Sequence, residues 1–172
     1  MKTIIAIVGD SGSGKTFASQ YLQETFGWDA VVSYTTRPVR KGEVNGRDHW
    51  FVKPSQVPPK NKMCAYTQFG GHEYWTEWDQ FLTLFPSVYV IDEKGLVNLM
   101  AKEQVPILFS LVTVKIKRPN KDDIDKARQE RDKERMILSD DFYDYIIDND
   151  DTLEAFKTKL YQTAQCIIQN EK

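Results

Sequence analysis

The chain has 172 residues, 41% of them apolar and 12% aromatic, enough to bury the core of one domain with a small insertion. Its 23 basic and 25 acidic residues leave a formal charge of −2, without the clustered basic excess expected of a nucleic-acid binder. No apolar run approaches the ~20 residues of a bilayer-spanning helix, and the first residues enter a strand pattern rather than a leader, so a cytoplasmic protein without a membrane partner is expected.

In chain order, residues 3–8 (TIIAIV) are β-rich and almost wholly apolar, which predicts a strand buried on both faces of a parallel sheet. Residues 15–26 carry Phe17, Tyr21, Leu22 and Phe26 near helical spacing, with Gly27 as the stop. A short strand is predicted at 30–34 (AVVSY). Pro38, Pro54, Pro58 and Pro59 make 37–63 loop and short-strand territory. Further buried strands are predicted at 87–92 (SVYVID) and 106–113 (PILFSLVT), with a helix at 94–102 between them. The highly charged segment 121–139 reads as a helix with many close opposite charges, 143–147 as a strand, and 152–169 as an amphipathic helix. Strands alternating with helices predict an α/β fold on a mostly parallel sheet. Cys64 and Cys166 read as isolated reduced thiols, and two histidines, His49 and His72, are too few for a histidine-rich metal site.

The run GDSGSGKT at 9–16 lies between the first strand and the first helix and fits GxxxxGK[ST]. Glycines let a backbone curl round an anion with its N–H groups turned inward, and the helix that follows adds its positive dipole end. Gly9, Ser11, Gly12, Ser13, Gly14, Lys15 and Thr16 are therefore the candidate triphosphate cradle. Lys15 supplies a mobile charge for the outer phosphates, and the Thr16 hydroxyl is a candidate Mg²⁺ ligand. A chain of this length with such a donor site reads as a small-molecule kinase using ATP and Mg²⁺. The guanine-reading NKxD element of a switch GTPase is missing, with only NDD at 149–151.

A second group of anion-binding residues follows within twenty residues: Ser33, Thr35, Thr36, Arg37 and Arg40, with Glu43 and Asp48 close behind. Two guanidinium forks with neighbouring hydroxyls suit a phosphate held bidentately. Here the sequence resembles the guanylate kinase family. SYTTRPVRKGEVNGRDHWFV (33–52) is similar to the family's S-x-T-T-R-x-x-R-x-G-E-x-x-G-x-D-Y-x-F-V. GHEYWT (71–76), VYVIDEKG (88–95) and YDYIIDNDD (143–151) are similar to its later segments, in the same order.

That resemblance implies a P-loop three-layer α/β/α fold, with core segments 1–32, 86–117 and 140–172, a monophosphate-binding insertion at 33–85 and a short lid at 118–139. It implies acceptor-phosphate contacts from Ser33, Arg37, Arg40 and Tyr74. His49 stands where the family has tyrosine and reads either as a phosphate donor whose charge varies near neutral pH or as a core residue. Thr76 is implied near the base. Asp92 is implied near the metal and acceptor, or else as the N-cap of the helix after it. Asn149 is implied near the donor base, or as a turn residue. Arg118 and Arg128 are the matches to catalytic lid arginines, with Arg131 a rival to Arg128.

Two positions depart from the pattern. The family's guanine-reading carboxylates correspond to Ala65 and Val90. Gln68 or Glu73 would reach the base only in another register, and Tyr66, Phe69 and Trp75 are either stacking platforms or small-domain core. The implied activity is ATP-dependent phosphorylation of a nucleoside monophosphate, GMP or dGMP foremost, with another (deoxy)nucleoside monophosphate or a non-catalytic protein-binding module as alternatives. The partners implied are small-molecule nucleotides.

Overall fold

The computed structural model describes residues 2–83, 86–119, 126, 132, 133 and 135–170, with the backbone only at 82 and 83. β1 (Lys2–Val8) is the middle of a five-stranded sheet, and every residue from Thr3 to Val8 is almost wholly buried. Its side chains alternate between two cores. Ile4, Ala6 and Val8 enter one, while Ile5 and Ile7 enter the other. A strand covered on both faces can be apolar throughout, as this one is.

α1 (Lys15–Phe26) returns across one face, burying Ala18 and Leu22, and Gly27 ends it in the left-handed conformation with φ 68°. β2 (Asp29–Val31) pairs in parallel with β7 (Ser87–Val90), which pairs in parallel with β1. β8 (Phe109–Lys117) and β9 (Tyr145–Asp148) complete the parallel order β2-β7-β1-β8-β9. The C-terminal helix, α5 (Leu153–Asn170), packs beside α1 through Phe156, Leu160, Ala164 and Ile167. On the opposite face α3 (Glu93–Met100) buries Leu96 and Leu99. The result is a three-layer α/β/α arrangement.

A second sheet, ordered β4-β3-β6-β5, stands beside the first. It comprises β3 (Tyr34–Thr35), β4 (Trp50–Phe51), β5 (Met63–Phe69) and β6 (His72–Glu77), and α2 (Trp78–Thr83) leads back to the core. The strand predicted at 30–34 is thus two strands in two sheets, with Val32 and Ser33 at the crossing, because the outer strand of one sheet feeds directly into the other. The β5–β6 hairpin had a sequence signal that composition alone obscured. Gly70 and Gly71, both at positive φ (57° and 76°), make a two-residue turn between alternating runs.

The strand predicted at 106–113 begins later. Pro106 stands in the first turn of a short helix, α4 (Val105–Leu108), and pairing with β1 starts at Phe109 opposite Lys2. It also runs on to Lys117. Lys115 and Lys117 lie on the face turned toward Asp140 and form ion pairs with it, so the alternation VKIK is strand and not loop. Most of the helix predicted at 121–139 lies outside the described residues, and 136–139 is not helical.

Candidate active site

The turn from β1 into α1 is built on glycines for steric reasons. A Cβ on Gly9 would come within 2.4 Å of the Ile116 carbonyl oxygen, and Gly14 has φ +105° with Asn149 Nδ2 and Phe156 against it. Lys15 Nζ donates to the carbonyls of Gly9 (2.6 Å) and Asp10 (2.7 Å), folded back on its own loop. Burial, helped by the nearby Arg135 guanidinium, pushes the Lys15 ammonium down to about 8. Ser13 is wholly buried, and among the described residues its Oγ finds no hydrogen-bond partner. Thr16 is exposed at the first turn of α1, on a groove that continues to Ser33 and His49.

The acceptor-side residues come from the crossing and the loop after β3. Arg37 makes a two-pronged ion pair with Glu43 (2.8 and 2.9 Å) and is 6% exposed. Glu43 also accepts from the Arg40 backbone N–H at 2.8 Å, so one carboxylate holds the Arg37 side chain and the Arg40 backbone. Ser33 Oγ and His49 Nδ1 are 2.9 Å apart, and the His49 ring meets Tyr74 edge-on at 5.7 Å.

Burial first, and then the Arg37 charge, push the His49 imidazolium down to about 4. The ring therefore stays neutral at neutral pH, whereas the sequence suggested a charge that varies there. The unfolded chain binds this proton below about pH 6.5 and the folded chain resists it, so stability falls as pH drops through that window. The expected loss by pH 4.5 is about 2–3 kcal/mol. Urea unfolding at pH 7 and pH 4.5 should show a shallower loss for His49→Gln than for the unaltered protein.

These two groups share one cavity. Lys15 lines it from the P-loop, and Ser33, Arg37, Arg40, His49 and Tyr74 line it from the other side. Asp92 is on its wall at the carboxyl end of β7, with its carboxyl raised by burial. Asp92 Oδ1 also accepts from Gly95 N at 2.7 Å, so it caps α3 while facing the cavity, and both readings of this residue apply at once. Thr76 is not part of the lining. It is buried behind it, 3.3 Å from the Tyr89 hydroxyl, and Tyr89 does reach the cavity.

Asn149 and Arg118 lie on the outer side of the loop. Asn149 Nδ2 donates to the Ser13 carbonyl (2.9 Å), and Arg118 donates to the Gly12 carbonyl (3.0 Å). Both border a separate groove with Gly12, Gly14 and Phe17. Arg128 lies outside the described residues, as does Arg131.

Three residues escaped the sequence reading. Arg135 donates to the Gly9 carbonyl at 2.7 Å, pairs with Glu93 at 2.6 Å, and lines the cavity beside Lys15. Asp132 accepts from both the N–H (3.0 Å) and the hydroxyl (2.8 Å) of Ser11. In a segment where nearly every residue is charged, pattern alone does not single out Arg135 or Asp132. Glu93 follows Asp92 directly and reads as ordinary first-turn acid.

A glycine-rich anion cradle at the end of a central parallel strand, facing an arginine clamp across one cavity, defines a P-loop phosphotransferase of the α/β/α class. The Guanylate kinase family model matches residues 1–165. The guanylate kinase of Protochlamydia amoebophila is 28% identical, over 90% of this chain and 86% of the relative. That of Wolbachia pipientis wMel is 30% identical, over 86% of this chain and 82% of the relative. A crystal structure of guanylate kinase from Anaplasma phagocytophilum, 21% identical, has the same fold, with a TM-score of 0.72 over 98% of this chain and 86% of the other. This chain belongs to the guanylate kinase family. Among the described residues, no helix is long and apolar enough to cross a membrane.

Proposed function

We propose that this chain transfers the terminal phosphoryl group of ATP to a nucleoside monophosphate, with GMP the acceptor that its relatives' names indicate and dGMP its deoxy counterpart. One observation carries the reading: Lys15 and the Arg37–Arg40 clamp open into the same cavity. The acceptor phosphate would be held by Ser33, Arg37, Arg40 and Tyr74, its neutral neighbour His49 completing the cup. A phosphate oxygen is already a nucleophile, so no general base is needed. Alignment and charge neutralisation do the catalytic work. Lys15 would exchange two backbone carbonyls for phosphate oxygens, and Arg135 stands beside it to share the developing charge.

Asn149 and Arg118 would flank the donor nucleotide on the outer side of the loop. Mg²⁺ suits the hard oxygen donors here, the exposed Thr16 hydroxyl and the Asp92 carboxyl, which leave most of its shell to phosphate and water. When bound, the ion would neutralise phosphate charge. Closure of the 33–85 insertion and the 118–139 segment over the substrates would exclude water.

The test is ADP release with ATP and a panel of ribo- and deoxy-monophosphates. Acceptor-dependent ADP formation with GMP is expected. Nucleotide binding without turnover of any monophosphate would replace the kinase by a binding module, a reading that the retained Lys15 disfavours.

A further inference from the structure

Guanine presents two adjacent donors, N1–H and the 2-amino group, beside the O6 acceptor. A carboxylate is the partner that satisfies both donors at once, with charge-assisted strength. The cavity does not supply one with both oxygens free. Among the described residues a single carboxylate lines it, Asp92, and one of its oxygens is committed to Gly95 N. Glu73 is drawn to the Tyr66 hydroxyl at 3.1 Å and is not part of the lining. Gln68 is exposed, its neighbours Thr67 and Phe69 reaching the cavity instead.

Apart from the half-committed Asp92, the wall beyond the phosphate clamp is apolar at Ala65, Val90 and Ile91 and presents hydroxyls as its polar groups. Thr67 Oγ1 is buried there without a hydrogen bond of ordinary geometry, although it lies near enough to Asp92 to favour that group's charged form. Among the described residues the Tyr89 hydroxyl hydrogen-bonds only Thr76. A hydroxyl both donates and accepts, so it satisfies a ring N–H, an exocyclic oxygen or a bare ring nitrogen about equally well.

We propose that this site reads its acceptor base through neutral hydroxyls, Thr67 foremost, and not through a carboxylate. The 2-amino group of guanine then carries little of the specificity, and the acceptor class is 6-oxopurine monophosphates with or without that group. This rests on the kinase reading above. A single amino group satisfied by no more than one neutral partner is worth about tenfold, so kcat/KM for GMP should exceed that for inosine monophosphate by no more than about tenfold.

The experiment measures kcat/KM for both acceptors with saturating ATP, following the nucleoside diphosphate by chromatography. A ratio clearly above about tenfold, more than one neutral hydrogen bond accounts for, overturns the proposal and leaves the kinase intact. Turnover of neither acceptor overturns the kinase reading and the proposal together. Two variants test the cause. Val90→Asp places a carboxylate on the wall and should raise the GMP preference at least about tenfold, and an unchanged ratio in folded Val90→Asp counts against the proposal. Thr67→Val removes the hydroxyl at nearly constant shape and should lower kcat/KM for both acceptors by a similar factor, whereas unchanged values for both refute the role given to Thr67. The ratio in the unaltered protein decides the matter even if neither variant folds.

Discussion

Lys15→Met should lower kcat by on the order of 10²–10³ with little change in thermal midpoint. The ammonium belongs to the first residue of α1 and, among the described residues, is held by two carbonyls and no carboxylate, so it is ready to leave them for phosphate. Methionine keeps most of the stem's packing and removes the charge. It also removes a buried cation whose neutralisation near pH 8 signals a desolvation penalty, which offsets the lost hydrogen bonds. Single-turnover rates at saturating ATP and GMP, with circular dichroism melts of both proteins, are the measurement. A variant with unimpaired kcat would mean that the phosphoryl group passes elsewhere.

The second large effect is expected at Arg37. Arg37→Ala should lower kcat/KM for the monophosphate by on the order of 10²–10³ while leaving the KM for ATP within about threefold, since a two-pronged phosphate contact is lost on one side of the cavity only. It should also destabilise the fold by about 3 kcal/mol, because Glu43 is left with its charge and without its partner. The two consequences separate in Arg37→Ala/Glu43→Gln, which should recover stability and not acceptor use. Arg37→Lys should rescue little, because a point charge does not reproduce the fork. Weakened ATP binding with an ordinary acceptor KM in Arg37→Ala would contradict the assignment of the two sides.

What the sequence disclosed and what it hid divide along physical lines. The P-loop was legible because its backbone demand is local: Gly12 (φ 71°) and Gly14 (φ 105°) take positive φ within a single turn between strand and helix. The arginine clamp was legible because Arg37, Arg40 and Glu43 interact within seven residues. β1 was legible because burial on both faces leaves a continuous apolar run. Arg135 was hidden because its partners, Gly9 and Glu93, are 126 and 42 positions away. The fate of Thr76 was hidden for a related reason. Its neighbour Tyr89 belongs to the other sheet, and only the docking of the two sheets decides which of the pair faces the cavity. The start of β8 was misread because Pro106 stands in the first turn of a short helix within an apolar segment whose composition alone suits a strand.

The contact between Asp132 and Ser11 sets up a competition for the cradle. Inward-facing N–H groups without an anion would either distort the turn or attract whatever anion the solvent offers. Here the chain brings its own stand-in, a carboxylate that takes the Ser11 N–H and hydroxyl together. An incoming triphosphate must evict it, so part of the intrinsic grip on ATP is spent on the exchange. In return the cradle is kept in working shape and shielded from stray anions.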